Sequence, residues 1–543
     1  MQPGRAVSVA AKAVVSEVLQ HIFEQYPNIA RRAGRHDYDG RLPEVAPRSL
    51  DDLAKLRAAV RAQVAGLPAT ADPELRADLD AALAIAEEEH FCLAVLGQVH
   101  PGPRDWLAET DVSVYLRRPY APLAERVAAC AAHLAGLPTF LEQAAGTLGR
   151  RLPAGDRMRA TEHARAQAVN LPAAVRRLVR DHPEHDSAAL AESAAAAATA
   201  CEDFAKAVAA TAPTNALHGP ELLGEVLSVS AGVDRPVAEL VDEARHEVER
   251  VAGALDAVVA RLGLGTREEA YARLAGHAAT GSVLDSLTAI IARVKDFWVT
   301  EDILSVDTST PLELRAGDDV AGSARVEFAI SPPLAEVSQP HLLTVPEPAE
   351  SAGAGPDSIR GQYLNDPMLE VITLHEVYAG HYAHLEAGLR GGSLVRTCVP
   401  WFPAFTEGWA HYVEELAMER GLADGRPEVE VAQLRSALEA ATRLLVCLSV
   451  HAGRWTFAEA AEQAALICGW SPARAAREVL VVVADPAGAM YTLGKLRIRE
   501  WRREVAGSPG DLKAFHDGLM RCGSAPLPAA LRYCRQTLAG ALS

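Results

Sequence analysis

A mainly α-helical fold, a large multi-helix body with one small antiparallel β-sheet beside its active-site helix, is what this 543-residue chain predicts. Apolar residues recur at three- and four-residue spacing over long stretches, the pattern of helices that bury one face. Alanine is dense where a linker would carry glycine, serine and proline. β-Favouring runs are confined to the window from about 304 to 365.

Residues 1–220 read as an N-terminal helical region with short breaks at Pro27, Pro43, Pro101 to Pro103, Pro138 and Pro153, because proline lacks the N–H a helix interior needs. Ser187 to Ala210 is so rich in alanine that a closely packed helix is expected, with Asp186 as its N-cap. The remainder, 221–543, reads as a catalytic region, the two parts forming one interlocked body. Pro236 to Leu262 is the clearest amphipathic helix, with Val237, Leu240, Val241, Ala244, Val248, Val251, Leu255, Val258 and Leu262 on one stripe, Asp234 as candidate cap and Pro236 in the first turn. Within 304–365 the runs Ala324 to Ile330 and His341 to Val345, separated by Pro332-Pro333 and followed by the loop Pro346 to Asp357, predict the small sheet. From Pro367 the helical pattern returns and runs to the end, with metal-binding helices expected over about 366–420. No internal repeat is present.

Composition narrows the function classes. At 49% hydrophobic residues the chain can bury a large core, and a net charge of -18 without a basic stripe argues against a nucleic-acid partner and disfavours an anionic membrane surface. No stretch has the eighteen or so uninterrupted apolar residues of a membrane helix, and the start lacks a basic stretch followed by an apolar run, so the cytoplasm is the expected compartment. Eight scattered cysteines without a C-x-x-C pair read as reduced thiols.

Chemistry concentrates in Thr373 to Glu386, which holds His375, Glu376, His381 and His384. Neutral imidazole is the commonest protein ligand for zinc, and a carboxylate beside the first ligand is placed to take a proton from activated water. In His-Glu-x-x-His the two imidazoles share a helix face. Here they are six residues apart, about 600° of rotation, which on an ideal helix points them about 120° away from each other. Gly380 is the residue expected to permit a widened turn. Without such a distortion the three histidines are ordinary surface or core residues. Glu407, in Phe405-Thr-Glu-Gly-Trp409-Ala-His411-Tyr412, is the candidate third ligand, with Glu386, His384 and His411 as competitors.

These segments resemble the bacterial family called domain of unknown function 885, whose members typically carry His-Glu-Ala-Tyr-Pro-Gly-His-His followed by Glu-Gly-Trp-Ala-Leu-Tyr. The resemblance extends to Tyr26-Pro27, Gly34 to Pro43, Gly361 to Asn365, Arg443 to His451, Tyr491 to Ile498, Phe515 to Asp517 and Pro526-Leu527. It implies a zinc peptidase distantly similar in helical architecture to carboxypeptidase Taq and thimet oligopeptidase. The chain departs from the family at Ala379 (usually Pro), Tyr382 (His), His384 (Gln), His411 (Leu), Cys447 to Ser449 (Asp-Thr-Gly) and Val481-Val482 (Arg-Tyr). The last change removes a candidate clamp for a substrate carboxylate, unless Lys495 or Arg497 supplies one.

The expected activity is zinc-dependent hydrolysis of a peptide or amide bond. His375, His381 and Glu407 hold the metal, and Glu376 serves as general base. Tyr491 and His451 are candidates to polarise the carbonyl or hold the oxyanion. Tyr363, His411 and His516 are candidate substrate contacts, and Trp401, Phe402 and Trp409 a candidate apolar wall. The alternatives are a tailoring hydrolase acting on the amide of a small metabolite and a non-catalytic binding protein on the same scaffold.

Overall fold

The computed structural model describes residues 3–215, 217–277, 282–317, 326–346, 359–399, 402–505 and 509–541. It is mainly α-helical, with short strands in two small sheets. The chain divides into two compact units, one formed by residues 1–68, 85–216 and 331–339, the other by 69–84, 217–330 and 340–543.

The first unit contains α1 (Pro3–Gln25), α2 (Pro27–Ala33), α3 (Leu50–Gly66), α4 (Leu123–Gly146), α5 (Ala154–Asp181) and α6 (Ala188–Ala210). Its core is built by α4, α5 and α6 through Leu134, Leu137, Phe140, Leu171, Ala194, Ala197 and Phe204. Alanine decides how α6 packs, since a methyl side chain at Ala194, Ala197 and Ala205 lets neighbouring backbones lie close. Its cap is Ser187, whose hydroxyl accepts from the Leu190 amide at 3.3 Å, one residue later than the expected Asp186. Pro138 lies inside α4 instead of breaking it. Flanking Leu134, Leu137, Phe140 and Leu141 are buried, so packing outweighs the one lost hydrogen bond. A parallel strand pair joins β1 (Arg151–Pro153) to β2 (Ala212–Thr214).

In the second unit α7 (Val237–Arg261) buries the stripe read from the sequence, including Leu240, Val248, Val251 and Leu255. Pro236 itself occupies the cap position and no side chain caps the helix, so Asp234 does not serve. Next come α8 (Val283–Glu301), β3 (Leu312–Gly317), β4 (Glu327–Ala329) and β5 (His341–Pro346). The sheet is mixed, not antiparallel: β5 lies in the middle, parallel to β3 and antiparallel to β4. The strand that makes it so, β3, carries the weak alternation Leu-Glu-Leu-Arg and was not among the expected runs. All six residues of β5 are buried. Residues 324–325 of the first expected run and 347–357 of the expected loop lie outside the described residues.

Five more helices complete the frame of the site: α9 (Asp366–Glu376), α10 (His381–Arg390), α11 (Pro403–Glu419), α12 (Pro427–His451) and α13 (Tyr491–Val505). The α11 and α13 backbones touch through Gly408 and Gly494. A Cβ on Gly494 would stand 1.7 Å from the Ala404 carbonyl oxygen, and one on Gly408 would stand 2.6 Å from Gly494 Cα, so only glycine allows this approach.

Candidate metal centre

Asn365 caps α9 by accepting from the Met368 amide at 3.0 Å, and the helix ends at Glu376. The next four residues leave helical geometry before α10 starts at His381. The widened turn expected inside one helix is therefore a full break between two. Buried backbone groups in a break need partners, and two tryptophans supply them. Trp298 of α8 donates its indole N–H to the Tyr378 carbonyl, and Trp409 of α11 donates to the Ala379 carbonyl, each at 2.9 Å. The Val377 and Tyr378 amides both donate to the Thr373 carbonyl, at 2.9 and 3.1 Å. Gly380 is required by contact, since a Cβ there would lie 1.7 Å from the His375 carbonyl oxygen.

The break turns the two imidazoles toward each other. The His375 and His381 rings stand 4.9 Å apart at 88°. Glu407 of α11 faces both, with Oε2 3.2 Å from His375 Nε2 and Oε1 3.5 Å from His381 Nε2. One ligand atom from each of these residues lies within 4.8 Å of the others. On its far side His375 Nδ1 is 2.8 Å from Oε1 of Glu414, a carboxylate that is 1% exposed, and His411 Nδ1 is 3.3 Å from the same oxygen. His375, His411 and Glu414 form a second convergent group sharing the first imidazole.

Electrostatics favours a cation here. Burial alone would raise Glu407, yet the charge of His381 and hydrogen bonds from both imidazoles outweigh it and hold the carboxyl well below its ordinary range. Burial likewise opposes ionisation of Glu414, but His411 and His375 bring it down to about 2. Burial would lower His375, whereas hydrogen bonds to Glu407 and Glu414 and the charge of Glu376 hold it well above its usual value. Carboxylates that stay ionised around imidazoles leave a negative site that protons or a metal must neutralise. The donor set of two imidazoles and one carboxylate fits zinc. Glu414 gripping the remote nitrogen of His375 is the carboxylate–histidine arrangement that fixes a ligand's tautomer. The Oε2 atom of Glu414 is buried without a hydrogen-bond partner among the described residues, so the carboxylate has unmet acceptor capacity at the cluster.

Sequence reasoning missed Glu414, although its signal was present. It lies seven residues after Glu407, about 700° around the helix, and so on the same face. Trp298 offered no comparable signal, because its role depends on where α8 packs.

The other candidates fall into two sets. Glu376, the last residue of α9, is half-buried beside His375. Tyr491 opens α13 with its ring stacked 5.9 Å from His411. Both border the cluster. His451 instead stacks on His218 at 5.2 Å, accepts from the His218 amide through Nδ1 at 3.2 Å and donates from Nε2 to the Val483 carbonyl at 3.0 Å. Burial pushes it down to about 4. His516 donates from Nδ1 to the Ile303 carbonyl and accepts the Tyr412 hydroxyl at Nε2, both at 2.7 Å, and burial also takes it to about 4. Each of these two rings has both nitrogens engaged by groups other than those of the His375–His381–Glu407 cluster. Tyr363 is also placed elsewhere, beneath the guanidinium groups of Arg435 and Arg474 at 5.8 and 6.0 Å.

Of the competing third ligands, His384 contacts the Gly523 carbonyl at 3.1 Å and Glu386 pairs with His341 at 2.9 Å. Trp409 serves the break, Phe402 is buried, and Trp401 lies outside the described residues. Val482 is core. Lys495 is held by Glu247 and Glu415 at 2.6 and 3.2 Å, and Arg497 by Glu243 and Glu500.

Fold and site together define a helical protein with a histidine–glutamate cluster at a helix break. The chain belongs to the family described as bacterial protein of unknown function, DUF885, whose model matches residues 27–532. Two solved structures share the fold. A "putative lipoprotein of unknown function" from Shewanella oneidensis superposes with a TM-score of 0.71 at 19% identity, covering 97% of this chain and 99% of that one. A "putative lipoprotein" from Colwellia psychrerythraea gives 0.75 at 17%, covering 98% and 99%. A search of curated proteins finds no match. Among the described residues no helix is long and apolar enough to cross a membrane.

Proposed function

We propose that the protein is a zinc-dependent hydrolase of peptide or amide bonds. The observation that carries this reading is the convergence of His375, His381 and Glu407 within 4.8 Å, brought about by a helix break that has its own buried supports. Zinc in such a site supplies Lewis acidity toward a carbonyl and lowers the pKa of a water from about 16 to about 7. His375, His381 and Glu407 would hold it, while Glu414 fixes the His375 ring by accepting from Nδ1. Glu376 accepts the proton of the attacking water and returns it to the leaving amine. Tyr491, whose ring stacks on His411, is the side chain assigned to donate its hydroxyl to the developing oxyanion.

The substrate reading follows from occupied cations. Lys495 and Arg497 are both engaged by carboxylates, and Val482 is packed in the core. A substrate with an apolar or blocked end therefore suits the site better than a free-acid dipeptide. Elemental analysis after zinc reconstitution, followed by profiling on paired free and amidated peptides and small amides, tests the proposal. About one zinc per chain and a preference for blocked substrates are expected. Protein that stays metal-free sinks the hydrolase reading, and a strong preference for free acids sinks the substrate reading.

A further inference from the structure

The first unit holds a cavity of about 440 Å³, lined by parts of α1, α2 and α3, residues 41–44 and 46–49, and Glu89. That volume suits a small-molecule ligand. Its least exposed charged lining group is Glu89, 3% exposed. Glu89 Oε1 accepts the Tyr26 hydroxyl at 3.1 Å, and Arg48 Nη2 donates to that hydroxyl at 2.5 Å while standing 3.7 Å from the same carboxylate oxygen.

Among the described residues, three buried polar atoms at this cavity have no hydrogen-bond partner: Glu89 Oε2, His21 Nε2 and Arg48 Nε. Such groups are rare in native interiors and point to something that satisfies them. Glu89 Oε2 and His21 Nε2 are 3.9 Å apart, beyond hydrogen-bond reach of each other. A single ammonium nitrogen with bonds of about 2.9 Å spans two acceptors at that separation and has a third N–H to spare. Arg48 Nε–H then remains for an oxygen of the same molecule. The surrounding charge agrees, since Glu24, Glu44, Asp52 and Glu89 line the cavity against Arg41 and Arg48, and Arg41 is paired with Glu24 at 3.2 Å.

We propose that this cavity binds an α-amino group together with its adjacent carbonyl oxygen, as in an amino acid or the amino end of a short peptide. Glu89 and His21 receive the ammonium and Arg48 the oxygen. The inference does not rest on the metal centre.

Calorimetric titration of the full chain with glycine, glycinamide, ethylamine and acetate tests it. Glycine or glycinamide should bind saturably at one per chain, ethylamine more weakly, and acetate not at all. Tighter glycine identifies a free amino acid as the ligand class, and tighter glycinamide a peptide amino end. Glu89→Gln should weaken binding at least tenfold. Because a buried charge supports folding, Glu44→Gln on the exposed rim is the second variant, expected to bind two- to threefold more weakly with an unchanged melting temperature. Glu87→Gln, which lies outside the cavity and pairs with Arg61, should bind as wild type does. Absence of binding by both amino compounds, affinity indifferent to Glu89→Gln and Glu44→Gln, or acetate as the best ligand would overturn the proposal.

Discussion

Glu376, Glu407 and Glu414 are three carboxylates around one imidazole, and they are separable by experiment because each acts through a different bond. Glu376→Gln keeps the shape but cannot accept a proton, so it should retain zinc and lose about a hundredfold or more in turnover; near-normal turnover removes it from the mechanism. Glu407→Ala removes a proposed ligand and should sharply lower zinc content measured by mass spectrometry, as should His375→Ala and His381→Ala, whereas His384→Ala should not. Zinc loss confined to the His384 variant would mean the ligand set is misread. Glu414→Gln acts through His375, whose Nδ1 it holds at 2.8 Å. Zinc affinity should fall about 10- to 100-fold, the scale of losing a ligand's hydrogen-bonded support, and competition with a chelator measures it. Unchanged affinity assigns Glu414 to folding alone.

At the scale of elements, the break between α9 and α10 turns a six-residue spacing into a shared site. Gly380→Ala forces a Cβ against the His375 carbonyl oxygen and should cost more than about 3 kcal/mol, in the tail of single-substitution effects, seen as a lowered denaturation midpoint together with zinc loss. Trp298→Phe keeps most of the packing but leaves the Tyr378 carbonyl without its donor, a loss of about 1–3 kcal/mol. Gly494→Ala drives α13 from α11. It should destabilise the fold and disturb Tyr491, three residues earlier, more than His375, His381 and Glu407.

Across the whole molecule, buried neutral histidines set an acid limit. Burial pushes His451 and His516 down to about 4 in the fold, against about 6.5 unfolded. Above pH 6.5 neither state binds the proton and their full contribution is present. Between 6.5 and 4 the unfolded chain binds protons that the native state refuses, so stability falls as pH falls, by up to about 1.4 kcal/mol per pH unit for each group. Melting temperatures measured from pH 7.5 to 4.5 should decline through this window, and His516→Gln should flatten the decline. A flat profile in the wild type would contradict these assignments.

The amino-acid order alone determined the helical class, the α7 stripe, the Ala-rich helix and the identity of His375, His381 and Glu407 as a group to examine, because periodicity and ligand type are local properties. Glu414 was legible too, since seven residues on one helix return to the same face. Only the tertiary structure decided that the motif is two helices, because the carbonyls exposed by the break are satisfied by Trp298 and Trp409, on elements distant in sequence. It also decided that β5 has a parallel neighbour and that Pro138 stays helical, where packing outweighs local preference. His451, His516 and Tyr363 look alike to the sequence as polar residues in matching segments. What separates them from His411 and Tyr491 is which groups their rings and ring nitrogens meet, and that depends on partners the chain brings together only when folded.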